Sequence, residues 1–165
     1  WIGGNQNYFL IEGLLPVLEE LSLTFNFNLI IIGGKPFTQK TSFETLFFPW
    51  SLATEVDNIR KIDIGLMPLN ESKEAKGKGG FKLIQYMGLG VVSVASAVTI
   101  NTQIVKHGED SFLVYNPSEW KATLAYLLSN TSLLPEIGTK ARDKIKKHYT
   151  FNAHLEKYKT FVLNA

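Results

Sequence analysis

Short apolar runs alternate along this chain with segments of helical spacing, and this alternation constrains the fold more than any other feature. The apolar runs are residues 29–32, 43–48, 62–69, 91–95 and 111–115. Most of them lie next to glycine or proline, and residues 29–32 read Leu-Ile-Ile-Ile before Gly33. A short continuous apolar run is typical of a strand that is covered on both faces. The sequence therefore predicts buried, parallel strands.

Helical spacing fills the intervals between these runs. The first such segment places apolar side chains at Leu10, Leu14, Val17, Leu18 and Leu21, and Pro16 is expected to kink or break that helix. Further helices are expected at residues 51–61, 80–89, 101–106, 119–129, 133–148 and 152–163. Strands that alternate with helices predict an α/β fold: a Rossmann-like parallel sheet flanked by helices, with extra helices at the C-terminal end.

Composition limits the size and class of the protein. A chain of 165 residues with 45% hydrophobic residues is expected to form one domain, residues 1–165. Its 17 basic and 15 acidic side chains give a net charge of +2, which disfavours nucleic acid as a partner. The absence of cysteine excludes a disulfide framework and fits a reducing, cytoplasmic location. No apolar run is long enough to span a bilayer, so we expect no transmembrane segment.

A glycine-rich turn, Gly3-Gly4-Asn5, precedes the first helical segment. Ligands of open parallel sheets bind beyond the carboxyl ends of the strands, where turns and helix N-termini present unpaired N–H groups. Small residues would let these groups approach a diphosphate closely. Asn5 also suits a helix cap, so both interpretations of this turn remain open.

Two lysines approach the start of another predicted helix, in the segment from Gly77 to Met87. If that helix begins near Gly79, Lys82 and Gln85 lie three residues apart on its first turns, and Lys78 lies just before it. Both cations and the helix dipole would then favour an anion. A solvated basic loop is the alternative interpretation.

Two further predicted strand ends carry candidate ligand-binding residues. Thr99 and Asn101 suit either a helix cap or contacts with sugar hydroxyls. Pro49 and Trp50 can present an aromatic edge and backbone amides to a base, although Trp50 also suits core packing. Neither strand end decides between these roles by itself.

Taken in order, these segments resemble the donor-binding, C-terminal domain of GT-B glycosyltransferases of family four (glycosyl transferases group 1), over essentially the whole chain. The matching motifs are Trp1-Ile2-Gly3, Pro49-Trp50 with Glu55, Asp-Ile-Gly-Leu-Met-Pro-Leu at 63–69, Lys-Leu-Ile-Gln-Tyr-Met at 82–87, and Glu119-Trp120. The specific part of the resemblance is the pair of motifs at 63–69 and 82–87 with this separation. Because the chain also begins with Trp1 rather than Met, we expect it to lack an N-terminal acceptor domain.

The resemblance implies transfer of a hexosyl group with retention, from a nucleoside diphosphate sugar of UDP or GDP type, without a metal or other cofactor. Lys78 and Lys82 would be the catalytic pair, because they would stabilise the leaving diphosphate. The expected donor-binding residues are Gly3, Gly4, Asn5, Pro49, Trp50, Gln85, Thr99 and Asn101. A glycan or lipid-linked acceptor would bind the absent domain, with peripheral membrane contact in the full protein, and this fragment alone would be inactive. The expected role is surface polysaccharide or glycan biosynthesis.

Several positions depart from the pattern of the wider family. Gly77 and Gln85 stand where many relatives carry paired glutamates, although the amide of Gln85 can still bond hydroxyls. Gln103 replaces a frequent glutamate, Thr99 a glycine and Val92 a proline. These departures keep two alternatives open: a non-catalytic sugar-nucleotide-binding or scaffold domain with a decayed site, and one half of a GT-B-fold epimerase or phosphorylase.

Overall fold

The structure is a computed structural model that describes residues 1–70, 72, 77–98 and 100–163. The strands are β1 (Asn28–Ile32), β2 (Glu44–Phe48), β3 (Ile64–Met67), β4 (Val92–Ser96) and β5 (Phe112–Val114). The helices are α1 (Tyr8–Glu12), α2 (Leu15–Ser22), α3 (Glu55–Ile59), α4 (Phe81–Gly88), α5 (Asn101–Ile104), α6 (Pro117–Ser129), α7 (Leu134–His148) and α8 (Phe151–Leu163). Short 3-10 helices at Asn5–Asn7 and Thr131–Leu133 precede α1 and α7.

The strands pair in parallel, as the alternating pattern predicts. β1 pairs with β2, and β3, β4 and β5 follow one another in a second group. Ile2 adds one parallel bridge to Ile32 of β1. The described strands therefore form two parallel groups, β1–β2 and β3–β4–β5, and no strand of one group pairs with a strand of the other.

Helices cover both faces of this architecture. Leu66 and Val94 belong to a core cluster with residues of α1, α2 and α6. Their neighbours Met67 and Ala95 belong to another cluster, with residues of α4 and α7. Since successive residues of a strand point to opposite faces, the two clusters lie on opposite sides of the sheet. This arrangement confirms the predicted Rossmann-like α/β fold and its additional C-terminal helices.

Proline and glycine determine two of the helix boundaries. The first predicted helix is broken rather than kinked: α1 ends at Glu12, and α2 begins at Leu15 with Pro16 in its first turn. A proline is tolerated there because no intrahelical acceptor is needed for its missing N–H. The helix expected from near Gly79 begins at Phe81, because Gly80 has a φ of 68°, a left-handed conformation that a right-handed helix cannot contain.

Within the described residues, no helix combines the length and apolar character needed to cross a membrane. The last helix, α8, nevertheless exposes several large apolar side chains, among them Phe151, Phe161 and Leu163.

Candidate functional site

The carboxyl ends of β1 and β2 meet the segment that follows the Ile2 bridge, where glycine allows close approach. The Gly3 N–H donates to the Ile32 carbonyl at 3.0 Å, and the Gly33 N–H donates to the Phe48 carbonyl at 2.9 Å. A Cβ atom on Gly33, whose φ is 84°, would lie 3.1 Å from both the Gly3 oxygen and the Trp50 Cβ. The glycine turn and Trp50 therefore lie side by side at the carboxyl ends of parallel strands, where ligands of such sheets bind.

The turn from Gly3 to Asn7 is built without side-chain caps. Gly4 precedes the 3-10 helix and Asn7 precedes α1, and neither helix receives a capping hydrogen bond from a side chain. Asn5 is exposed and caps neither helix. A Cβ atom on Gly3 would overlap the Trp1 ring and lie 3.1 Å from the Lys82 ammonium. The absence of a side chain at Gly3 therefore lets the Trp1 ring and Lys82 lie against the turn.

Both candidate lysines lie against this turn. The Lys78 ammonium donates a hydrogen bond to Asn7 Oδ1 at 2.8 Å, across 71 residues of sequence. The Lys82 ammonium lies 4.7 Å from the centroid of the Trp1 ring, a cation–π contact. The structure thus brings together the glycine turn and the lysine segment, which sequence reasoning proposed separately. Asn7 and Trp1 hold the lysines there, a role that their residue types and positions in the sequence do not indicate.

The electrostatic environment of the two lysines favours an anion. Burial, and the neighbouring charge of Lys78, lower the pKa of Lys82 to about 8. No carboxylate among the described residues forms an ion pair with either lysine. Two cations held close together repel each other, and an anion between them would remove that repulsion. Among the described residues, no group of three or more acidic, histidine or cysteine side chains is placed to hold a metal ion.

Helix α4 positions Lys82 and Gln85 and is anchored by a buried tyrosine. Gln85 lies three residues after Lys82 and is partly exposed, as the predicted spacing requires. Tyr86 is fully buried, and its hydroxyl accepts a hydrogen bond from the Ile2 N–H at 2.9 Å. This contact ties α4 to the strand end that carries the glycine turn. The sequence offered no signal for it, because the two partners lie 84 residues apart.

Asn101 lies behind the lysine segment rather than on the surface. It is fully buried, and its Nδ2 donates to the Ser96 carbonyl at 2.9 Å, while its Oδ1 has no described partner. A Cβ atom on Gly80 would lie 3.7 Å from that Oδ1, so Asn101 is adjacent to the start of α4. Contact with a donor sugar remains a prediction for Asn101. Thr99 lies outside the described residues.

Trp50 is exposed at the site. Its side chain is 54% exposed, and its Nε1 donates to Glu55 Oε1 at 2.8 Å. The core-packing alternative for Trp50 therefore does not describe this structure. Pro49 is exposed beside it. The two residues present an aromatic edge at the ligand-binding end of the sheet, and contact with a base remains a prediction.

Fold and site together define a Rossmann-like domain in which two lysines and a glycine turn lie together at the carboxyl ends of its strands. The chain belongs to the family described as glycosyl transferases group 1, whose sequence model matches residues 5–130. A trehalose synthase from Pyrococcus horikoshii is 32% identical over 80 residues, which are 48% of this chain and 19% of that protein. The chain is therefore a glycosyltransferase-family domain that spans about a fifth of this curated relative.

Solved structures identify the half of the GT-B fold that the chain forms. The C-terminal domain of LpcC from Francisella tularensis is similar with a TM-score of 0.71 and 14% identity, over 91% of this chain and 85% of that one. For TarM of S. aureus the TM-score is 0.78 and the sequence identity 17%, over 97% of this chain and 34% of that one. For HepE from Anabaena the TM-score is 0.76 and the sequence identity 12%, over 99% of this chain and 48% of that one. At these identities the likeness establishes the fold, which is that of the C-terminal domain of a GT-B glycosyltransferase.

Proposed function

We propose that this domain binds the nucleoside diphosphate of a sugar donor, for transfer of a hexosyl group to an acceptor hydroxyl with retention. The observation that carries the proposal is the convergence of Lys78 and Lys82 on the glycine turn, where no described carboxylate forms an ion pair with either. Carbon–oxygen cleavage at the sugar leaves negative charge on the departing diphosphate. Two fixed cations at that position would therefore stabilise the transition state more than the bound donor.

Each lysine has a defined part in this proposal. Lys82 is held against the Trp1 ring beside Gly3, so its ammonium needs little reorganisation when charge develops. Lys78 is held by the Asn7 amide oxygen, a neutral acceptor that leaves the positive charge uncompensated. Backbone N–H groups at the start of the Asn5–Asn7 helix would add further donors, since the first turn of a helix has no acceptors for them.

The donor is expected to be of UDP or GDP type, and UDP is the first to test. The Anabaena HepE structures contain UDP and UDP-glucose, and a structure of S. aureus TarM contains UDP. We assign no metal to the site, because the lysines supply the positive charge that a diphosphate requires. Gln85 would meet the ribose, Trp50 and Pro49 the base, and Asn101 with Thr99 the region of the sugar.

The wider setting of the reaction belongs to the same proposal. The acceptor, a glycan or lipid-linked hydroxyl, would bind an N-terminal domain, so Trp1–Ala165 alone would be inactive. We place the full enzyme in the cytoplasm, in surface polysaccharide or glycan assembly, with peripheral membrane contact. These are proposals about the full-length protein, because the chain spans 34% of TarM and 48% of HepE.

A second candidate is a domain that binds the nucleotide without supporting turnover. The observation that favours it is the absence of acidic side chains at Gly77 and Gln85. Turnover separates the two candidates: release of nucleoside diphosphate from a sugar nucleotide by the full-length protein would exclude the non-catalytic one.

Replacement of the lysines tests the proposed site directly. In the full-length protein we expect Lys78→Ala and Lys82→Ala each to weaken UDP binding about 10- to 100-fold, or about 1.4–2.8 kcal/mol, in isothermal titration. The matched control is Lys121→Ala, which removes an exposed lysine paired with Glu20 and should leave the affinity within about twofold. Unchanged affinity in the Lys78→Ala/Lys82→Ala double variant would refute the assignment.

A further inference from the structure

Glu55 follows Pro49 and Trp50 in one of the sequence motifs, and the proposed function gives it no part. Its Oε1 accepts a hydrogen bond from Trp50 Nε1 at 2.8 Å. Trp50 lies beside the glycine turn, since a Cβ atom on Gly33 would be 3.1 Å from the Trp50 Cβ. Glu55 therefore contacts an exposed aromatic ring at the ligand-binding end of the sheet.

The turn between these two residues is held by hydrogen bonds of its own. The hydroxyls of Ser51 and Thr54 lie 2.7 Å apart, and the Thr54 N–H donates to the Ser51 carbonyl at 3.2 Å. The Glu55 N–H donates to the same carbonyl at 3.0 Å, and helix α3 begins at Glu55. The carboxylate that meets Trp50 is therefore carried on ordered backbone.

The hydrogen bond from Trp50 to Glu55 restrains an exposed ring. A surface side chain without such a contact samples several rotamers, and its immobilisation by a ligand costs affinity. Glu55 fixes the ring before a ligand arrives. The indole N–H is the one hydrogen-bond donor of a tryptophan side chain, so its use by Glu55 leaves the faces of the ring for a ligand. A base can stack on such a face whatever its own hydrogen-bonding pattern.

We propose that Glu55 is a positioning residue for nucleotide binding, because it holds the Trp50 ring in the orientation in which the base stacks on it. The inference rests on the proposed function, since it takes Trp50 as the residue that meets the base. Glu55 itself contacts the ring and not the donor. The pair adds affinity without selecting among bases through hydrogen bonds, because the indole N–H is already bonded.

An acidic residue in the first turn of α3 can also stabilise that helix, and Asp57 provides the comparison. Both carboxylates lie in this turn, where the helix dipole favours negative charge. Asp57 pairs with Arg60 at 3.3 Å, whereas Glu55 accepts from Trp50. Asp57→Ala therefore removes a charge from the same turn and leaves the indole contact intact.

The sign of the effect separates positioning from simple electrostatics. Removal of a carboxylate from the surroundings of an anion-binding site strengthens the attraction for an anion. Loss of the indole contact acts in the opposite direction, because the ring is then no longer fixed. Weaker nucleotide binding in Glu55→Ala would therefore be an effect transmitted through Trp50.

Isothermal titration of the full-length protein with UDP, GDP and pyrophosphate tests the proposal. We expect Glu55→Ala to weaken the tighter-binding of UDP and GDP about 3- to 10-fold, and to leave pyrophosphate affinity undiminished, because pyrophosphate has no base. Glu55→Gln should keep the nucleotide affinity, since its amide oxygen can accept the same hydrogen bond. Asp57→Ala should keep it as well. An unweakened Glu55→Ala, or an equal loss in either of the other two variants, would overturn the proposal.

NMR of the indole groups reports on the contact itself. In Glu55→Ala the Trp50 indole proton should exchange with solvent at least about tenfold faster, whereas that of buried Trp120 should not change. In a Trp50→Ala background, Glu55→Ala should cause no further loss of nucleotide affinity, because Glu55 acts through the ring. A further loss in that background, or unchanged exchange at Trp50, would contradict the positioning role.

Failure of the proposed function has a different signature from failure of this inference. If the wild-type full-length protein bound none of UDP, GDP and pyrophosphate, the proposed site would be wrong, and the role of Glu55 with it. If nucleotide binding required Lys78 and Lys82 but was indifferent to Glu55→Ala, the proposed site would stand and only the role of Glu55 would fall.

Discussion

Lys82 carries a positive charge in surroundings that partly oppose it. Its pKa is lowered to about 8 by burial and by Lys78, although the Trp1 ring favours the cation. The charge on this side chain is therefore sensitive to pH around its pKa of about 8. An anion that binds beside it would hold the proton on Lys82 and raise its pKa.

The pKa of Lys82 gives donor binding a defined pH dependence. Lys82 is mostly charged at pH 7 and mostly neutral at pH 9, whereas a terminal phosphate, with a second pKa of about 6, is already mostly ionised at pH 7. Affinity for UDP should therefore fall about tenfold between pH 7 and pH 9, because only the charged form binds the diphosphate well. Isothermal titration across this range measures it. In Lys82→Arg, whose guanidinium keeps its charge, the profile should be flat; an equally steep profile would show that another group titrates.

The Tyr86 hydroxyl is expected to stabilise the strand end that carries the glycine turn. Tyr86→Phe leaves the buried Ile2 N–H without its acceptor, which should lower the free energy of unfolding by about 1–3 kcal/mol. Tyr158→Phe is the control, because Tyr158 is 61% exposed, and it should change stability by less than about 0.5 kcal/mol. Urea denaturation measures both. Equal stabilities for the two variants would mean that this hydrogen bond contributes little.

At the scale of elements, the sequence predicted the strands better than the helix boundaries. Residues 29–32 and 91–95 could be recognised because a strand covered on both faces needs an apolar run; residues 29–32 lie within β1, and 91–95 overlap β4 with an offset of one residue. The start of α4 was misplaced because the sequence shows two successive glycines but not that Gly80 takes the left-handed conformation. Local patterns report burial well, whereas backbone angles at glycine depend on the packing around it.

Close packing between α7 and the turn before β4 is expected to depend on glycine. A Cβ atom on Gly138 would overlap the carbonyl oxygen of Gly90, which is backbone and cannot rotate away. Gly138→Ala should therefore destabilise the fold by about 1–3 kcal/mol, despite the better helix propensity of alanine. Gly13→Ala is the control, because its Cβ would meet ordinary contacts from 3.4 Å outward. Thermal unfolding of both variants measures the difference, and an unchanged or higher Tm for Gly138→Ala would refute the packing argument.

At the scale of the molecule, the sequence predicted the parts of the site but not how they meet. The glycine turn and the lysine segment could each be recognised from residue types. Their contact through Asn7 and Lys78 spans 71 residues, so it depends on the assembled sheet and could not be found from spacing. The burial of Asn101 was hidden for the same reason, since the segments that cover it come from elsewhere in the chain.

The central claim is that Lys78, Lys82 and the glycine turn bind a nucleoside diphosphate. We would measure thermal unfolding of the full-length protein with UDP, GDP, ADP and matching sugar nucleotides. At about 100 times its dissociation constant, the correct nucleotide should stabilise the fold by about 2.7 kcal/mol, saturably, and this gain should be lost in Lys78→Ala/Lys82→Ala. No stabilisation by any of these nucleotides, or an equal stabilisation of the double variant, would contradict the claim.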